Sequence, residues 1–418
     1  MWRSRHRRPS YCYGNEEKIS TFFFSVNFLT YTCGGTSNMS FLNEEQASLI
    51  KVVADFAKQE IAPNAAHYDE TEEFPWDNIH KMAELGLMGM PVPESLGGAE
   101  TDTVTYVAAI EEIAKADAAT GAIMAIHTST GIMPILMNGS EEQKKKYVPD
   151  LATGKKVGAF ALTEPNAGSD AAGVQTTAVL DGDEYVLNGS KCFISNGGEA
   201  DVYTVLASTD KSKGTRGISA FIVEKGTPGF TFGKKEHKLG IRASATRELV
   251  FQDCRIPKEN LLGVEGKGFS SAMAVLDGAR IGIGSQAVGI AQAAYEAALE
   301  YSKVRIQFGK PIAKQQVISF MLADMAIQIE ASRQLVRHAA ELKDAGLPFA
   351  KEAAMAKTLA SDTAVKVALD AVQVLGGYGY TREYPVERYL RDAKITQIYE
   401  GTNQIQRLVI SRAILGKF

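Results

Sequence analysis

The sequence predicts an α+β multidomain protein in which a helical domain, a β domain and a second helical domain follow one another. Apolar residues recur at helical spacing from Asn43 to about residue 156 and again from Gly266 to the end. Between them lie short β-branched and aromatic runs divided by turn residues. A chain of 418 residues has room for about three domains. The expected bounds are 39–156, 157–265 and 266–418, with residues 1–38 set apart as a non-native or disordered leader.

That leader has a composition of its own. Arg3, Arg5, Arg7, Arg8 and Lys18 against Glu16 and Glu17 leave it at +3, so the other 380 residues carry −7. Its apolar stretch, Ser20–Tyr31, is broken by Ser25, Asn27 and Thr30 and ends in the breaker cluster 33–38. A transit peptide would be poorer in acids and a secretory signal would hold a longer unbroken apolar core. The expectation is a start at Met39, with a targeting segment as the alternative.

In the first helical region Leu49, Val52, Val53, Phe56 and Ala57 keep helical spacing behind a cap at Asn43 and an early acid at Glu44. Helices are expected at Asp77–Leu85, Thr103–Ala116 and Thr120–Met137. Ser140-x-x-Gln143 opens another as a capping box. The β domain reads from Val157–Thr163, Thr176–Leu180, Tyr185–Leu187, Val202–Ser208, Ser219–Val223 and Leu249–Phe251, with Asp181-Gly182-Asp183 as a hairpin signal. Long Ala-rich amphipathic segments then run over Arg280–Lys303, Gln315–Gly346, Phe349–Leu375 and Thr402–Leu415. Inside the first of these, Gly282-Ile283-Gly284-Ser285-Gln286-Ala287 matches a dinucleotide fingerprint. That motif needs a preceding strand and a helix start, so the glycines are read as helix-packing residues.

Net charge −4 and a pI near 6.0 offer no basic excess for nucleic acid, and no unbroken apolar run reaches the ~18 residues of a membrane span. Cys12, Cys33, Cys192 and Cys254 have no metal-like spacing, so no metal site is expected.

Four ordered segments carry more specific information: 160–170 (FALTEPNAGSD), 305–310 (RIQFGK), 373–379 (QVLGGYG) and 391–402 (RDAKITQIYEGT). The strand expected to end at Thr163 turns through Pro165 and Gly168, leaving backbone N–H groups and the Thr163 and Ser169 hydroxyls able to bond the polar edge of a planar ring. Arg305 suits bidentate phosphate pairing. Glu400 stands between Ile398-Tyr399 and Gly401, where apolar surroundings would raise its pKa toward that of a working base. Taken singly, each has a plainer reading: a turn, a solvated arginine, a first-turn acid.

Together the four segments resemble the acyl-CoA dehydrogenase family, over the chain from about Met39 onward, and the resemblance lies closest to its bacterial short-chain, butyryl-CoA members. It implies a β-barrel-like middle domain and a C-terminal domain of four-helix-bundle type. It also implies FAD, held by Phe160, Leu162, Thr163, Gly168, Ser169, Phe193, Ile194 and Ser195, and, from a neighbouring subunit, by Arg305, Gln307, Phe308, Gln315, Gln316, Gln373, Val374, Leu375, Gly376 and Gly377. Thr402, Asn403 and Gln404 are placed near FAD, and Ser169, Asp277, Arg280, Tyr399 and Gly401 near the substrate. Glu400 becomes the catalytic base. Ala279 occupies the position from which some relatives draw theirs. The implied partners are a short-chain acyl-CoA, an electron-transferring flavoprotein and further copies in a homotetramer, with no nucleic acid and no integral membrane segment. A cytoplasmic bacterial setting follows, or the mitochondrial matrix if the leader is a transit peptide. An acyl-CoA oxidase or a branched- or medium-chain dehydrogenase is the alternative.

Overall fold

The computed structural model describes residues 42–416; the expected leader lies outside them. The first helices are α1 (Glu44–Phe56), α2 (Ala65–Thr71), α3 (Trp76–Glu84), α4 (Thr103–Ala116), α5 (Ala118–Ile126), α6 (Met133–Asn138) and α7 (Glu141–Ala152). The cap expected at Asn43 and the capping box expected at Ser140 both form, the first also as a box. Asn43 Oδ1 accepts from Gln46 N at 2.9 Å while Gln46 Oε1 accepts from Asn43 N, and Ser140 and Gln143 repeat the exchange. The helix expected over Thr120–Met137 is α5 and α6 joined by a wider π turn at His127–Ile132. Taken as one stretch, Ala118–Asn138 is long and apolar enough to cross a membrane, but 83% of its most apolar window is buried inside the fold.

The middle region supplies β1 (Gly158–Ala161), β2 (Thr177–Asp181), β3 (Glu184–Ser195), β4 (Val202–Ser208), β5 (Ile218–Glu224), β6 (Phe230–Lys235), β7 (Thr246–Pro257) and β8 (Leu261–Leu262). They form one sheet in the order β6-β7-β3-β2-β4-β5-β8, with β1 parallel to β4. The 181–183 turn is the β2–β3 hairpin, with Gly182 at φ +64°. Strand β4 is buried throughout and β5 nearly so, hence their continuous apolar runs. Strand β3 is far longer than Tyr185–Leu187, because Asn188, Gly189, Ser190 and Lys191 interrupt its apolar pattern without interrupting its pairing.

The chain ends in α8 (Gly268–Val304), a short hairpin of β9 (Ile306–Gln307) and β10 (Lys310–Pro311), then α9 (Gln316–Asp344), α10 (Ala350–Leu375), α11 (Val386–Thr396) and α12 (Asn403–Leu415). Helix α11, not among the expected helices, carries an apolar stripe of Val386, Tyr389, Leu390 and Ala393, and buries Asp392 and Thr396 beside Val386 and Ala393. The fingerprint-like glycines lie inside α8. A Cβ on Gly289 would sit 2.4 Å from Glu111 O and one on Gly284 2.9 Å from Val336 Cγ2, so they set the approach of α4 and α9 to α8. His127 ties the helices to the sheet. Its Nδ1 accepts from Gly158 N at 3.0 Å, which leaves Nε2 to donate to Leu151 O at 3.0 Å. Burial draws its pKa down to about 4.

Candidate active site

The turn between α11 and α12 carries Glu400. It adopts φ +53° and Gly401 φ +96°, a left-handed pair that reverses the chain before Thr402 caps α12 by accepting from Ile405 N at 3.3 Å. A non-glycine residue there stores on the order of 1–3 kcal/mol of strain and persists only where its surroundings hold it. Two buried side chains do so. Gln406 Nε2 donates to Glu400 O at 3.1 Å and to Gly401 O at 2.9 Å, and Lys357 Nζ from α10 donates to Gly401 O and Asn403 Oδ1, both at 2.9 Å.

The Glu400 carboxylate is kept uncommitted. Its Oε2 is buried without a hydrogen-bond partner. Burial pushes its pKa up to about 7, although the charges of Arg280 and Lys357 pull the other way. Arg280, on α8, is bonded to Asp277 one turn earlier, and its Nε has no partner. The Tyr399 hydroxyl donates to Gln286 Oε1, and Ala279 is buried beside them with nothing to titrate. The structure thus gathers Glu400, Tyr399, Gly401, Asp277 and Arg280 around the α8–α10–α12 junction. Asn403, expected near the cofactor, is buried, and its side chain is bonded to Lys357, Ser361 and Asp362. Gln404 is exposed.

A second cluster stands at the ends of β1 and β3. Strand β1 stops at Ala161, not Thr163, but Thr163 O still accepts from Cys192 N at 3.0 Å. Leu162 and Ile194 are buried, so they offer backbone only; Phe160, Thr163 and Ser195 are half-buried, and Gly168 and Ser169 are exposed. Between Lys191 and Ile194 two residues of β3, Cys192 and Phe193, oppose one of β7, Glu248, a bulge that puts Phe193 at φ +57° with 65% of its surface exposed. The loop is braced from below. Lys191 Nζ donates to Glu164 Oε1 at 2.6 Å and Leu162 O at 3.2 Å, and Glu164 also accepts from Gln175 N and Thr176 N. An outward aromatic ring beside free hydroxyls and backbone groups fits the face and edge of a flavin ring.

A third cluster forms an open groove of about 550 Å³ lined by Arg305, Gln307, Val374, Leu375, Gly376, Gly377 and Tyr378 among others. The Arg305 guanidinium lies 5.6 Å from the centre of the Tyr378 ring. A Cβ on Gly376 or Gly377 would meet nothing within 4 Å, so this backbone is open to a ligand. The lining comes wholly from α8 onward; no β-domain residue takes part. Gln315, Gln316, Gln373 and Phe308 stand outside it.

Three consecutive segments match the descriptions "Acyl-CoA dehydrogenase, N-terminal domain" at 43–155, "middle domain" at 159–254 and "C-terminal domain" at 266–415. The chain belongs to the acyl-CoA dehydrogenase family. It is 59% identical over 375 residues to an acyl-CoA dehydrogenase of Bacillus subtilis, covering 90% of this chain and 99% of that one. The solved butyryl-CoA dehydrogenase of Megasphaera elsdenii superposes with a TM-score of 0.88 at 52% identity, over 90% of this chain and 99% of the other. A chain from a structure of the electron transferring flavoprotein of Acidaminococcus fermentans, concerned with flavin-based electron bifurcation, gives 0.89 and 55% with the same coverage. Members of the acyl-CoA dehydrogenase family are flavin-dependent oxidoreductases acting on CH–CH bonds. Within it, the braces Lys357, Gln406, Gln286 and the Glu164–Lys191 pair received no role from sequence reasoning. A signal existed for one. Lys357 falls on the Ala353-Ala356-Ala360-Ala364 stripe of α10, where a lysine has no ordinary reason to be.

Proposed function

We propose that this protein removes hydrogen from the α and β carbons of short-chain acyl-CoA thioesters, butyryl-CoA to crotonyl-CoA or the reverse, with Glu400 as the base. The observation that carries this is the half-buried Glu400, with Oε2 buried and unpartnered and its pKa near neutrality, on a strained turn. FAD, when bound, supplies the acceptor for the β-hydride. Glu400 takes the α-proton, and its backbone N–H, free of the clamp that holds its carbonyl, is placed to donate to the thioester oxygen as charge develops there. Asp277 and Arg280 border the same space from α8. The β1 and β3 ends bind the ring, Phe193 covering its face, and the Arg305–Gly377 groove binds the phosphates and adenosine of a cofactor held by another copy of the chain. Butyryl-CoA is supported by the Megasphaera elsdenii relative, and electron exchange with an electron-transferring flavoprotein by the Acidaminococcus fermentans one.

Glu400→Gln tests the reading. It keeps the shape and the cofactor and removes the base, so anaerobic butyryl-CoA should no longer bleach the flavin band. Loss of a positioned base costs about 10²–10⁴ in rate. Bleaching within about tenfold of wild type would defeat the assignment. Rapid reoxidation of reduced enzyme by O₂ would favour the oxidase alternative.

A further inference from the structure

We propose that Lys357 is a positioning residue for the base: with Gln406 it clamps the carbonyls of the Glu400–Gly401 turn, and its bond to Gly401 O sets its ammonium one residue from Glu400. The proposal rests on the reading of Glu400 as the base.

Lys357 is fully buried in α10, on a stripe whose other members are Ala353, Ala356, Ala360 and Ala364, all fully buried. Packing alone would be served there by an apolar side chain, and burying an ammonium is costly unless it is well bonded. Its bonds go to the two places that fix the turn, Gly401 O and Asn403 Oδ1. Ser361 Oγ, one turn along α10, shares Asn403 Oδ1 at 3.2 Å, so the start of α12 is tied to α10 twice. Gln406 closes the other side. Its Nε2 bonds Glu400 O and Gly401 O, and a Cβ at position 401 would lie 2.7 Å from it, so the turn, the glycine and the glutamine fit one another. Both carbonyls are thereby fixed, and the turn that carries the Glu400 carboxylate with them.

The groups that share this field are few. Arg280 faces Glu400 from α8, Lys357 from α10 and the Tyr106 phenol from α4. Asp362, also on α10, acts on Lys357 with Glu400 and Arg280. Burial draws Lys357 itself down to about 7, with the Glu400 charge opposing. Two cations offset burial of the base, Arg280 first, itself paired with Asp277, and then Lys357, which is bonded to the turn.

The test compares FAD-loaded wild type, Lys357→Met and Gln406→Leu by anaerobic flavin reduction with butyryl-CoA across pH. Lys357→Met should slow reduction at least ~10-fold, move KM far less, and shift the acid limb of kcat/KM upward on the order of one pH unit, because a charge that favoured the carboxylate has gone. Gln406→Leu removes a neutral clamp and should slow reduction while leaving the limb in place. A Lys357→Met enzyme with wild-type reduction, or with a slower rate and an unmoved limb, would reduce Lys357 to a packing residue and overturn the proposal. Should that variant not fold around FAD, Gln406→Leu decides the clamp: reduction within about twofold of wild type overturns it. Glu400→Gln separates the two ideas. If it still reduces its flavin, the base assignment falls; if it is inert while Lys357→Met is unaltered, only the clamp falls.

Discussion

A general base works best with its pKa near the working pH, which a carboxylate reaches by giving up contact with water. Glu400, with Oε2 buried and unpartnered, is such a group, and two pH dependences follow. With its pKa pushed up to about 7, flavin reduction should fall as pH drops through about 7 and level off above it. Stability should move the other way. The folded pKa lies above the ordinary 4.5, so the native state loses stability as pH rises from about 4.5 to about 7 and regains none beyond, a loss of up to about 3 kcal/mol. Glu400→Gln should therefore raise the unfolding temperature near pH 8 and raise it much less near pH 5. Thermal denaturation of both proteins at the two pH values measures this; a gap that is larger at the acid value would contradict it.

At the scale of single elements, helix α8 explains why a dinucleotide-like glycine pattern occurs where no strand precedes it. The two glycines of that pattern, Gly282 and Gly284, and Gly289 just beyond it face different neighbours. Gly282 has room for a methyl group, whose nearest atom would be Ile110 Cδ1 at 3.4 Å, whereas Gly289 abuts the Glu111 carbonyl at 2.4 Å. Alanine is favoured over glycine in a helix interior by roughly 0.5–1 kcal/mol. Gly282→Ala should therefore be neutral or slightly stabilising. Gly289→Ala should cost about 1–3 kcal/mol, because backbone cannot step aside as a side chain can. Chemical denaturation of the two variants reads the contrast directly. Equal effects would show that the α4–α8 spacing is not set by Gly289.

The whole molecule raises a different question, because the features proposed to bind the flavin stand in separate places on one chain. The strand-end cluster with Phe193 and the Arg305–Gly377 groove share no lining residues. Near the groove the β9–β10 hairpin turns through Phe308 and Gly309, both at positive φ, and leaves Phe308 93% exposed. Ile306, Val317 and Phe320 are exposed with it. A surface of that kind asks for a partner, and a second copy would bring groove and strand ends together. Arg305→Ala should then lower FAD occupancy with little change in the folded monomer, and Phe308→Asp should weaken assembly and FAD retention together. Sedimentation paired with the flavin-to-protein absorbance ratio checks both. A monomer that keeps its FAD through dilution would rule this arrangement out.

What was legible in the sequence was whatever depends on neighbours along the chain. The caps at Asn43 and Ser140, the 181–183 hairpin, the long terminal helices and the break at Glu400-Gly401 are each determined within a few residues, by local hydrogen bonding and glycine's access to left-handed backbone. The four ordered motifs told the family for the same reason: they are contiguous. Helix α11 was legible by the same local spacing, in Val386, Tyr389, Leu390 and Ala393, whereas the full length of β3 was not, since its polar residues are held by pairing with β7, distant in sequence. The same holds for the site. That Glu400 sits on a turn is a local fact. That its carboxylate is dry, faces Arg280 from one helix and Lys357 from another, and has its carbonyl held by Gln406 follows only from bringing α8, α10 and α12 together, because burial and charge act through space.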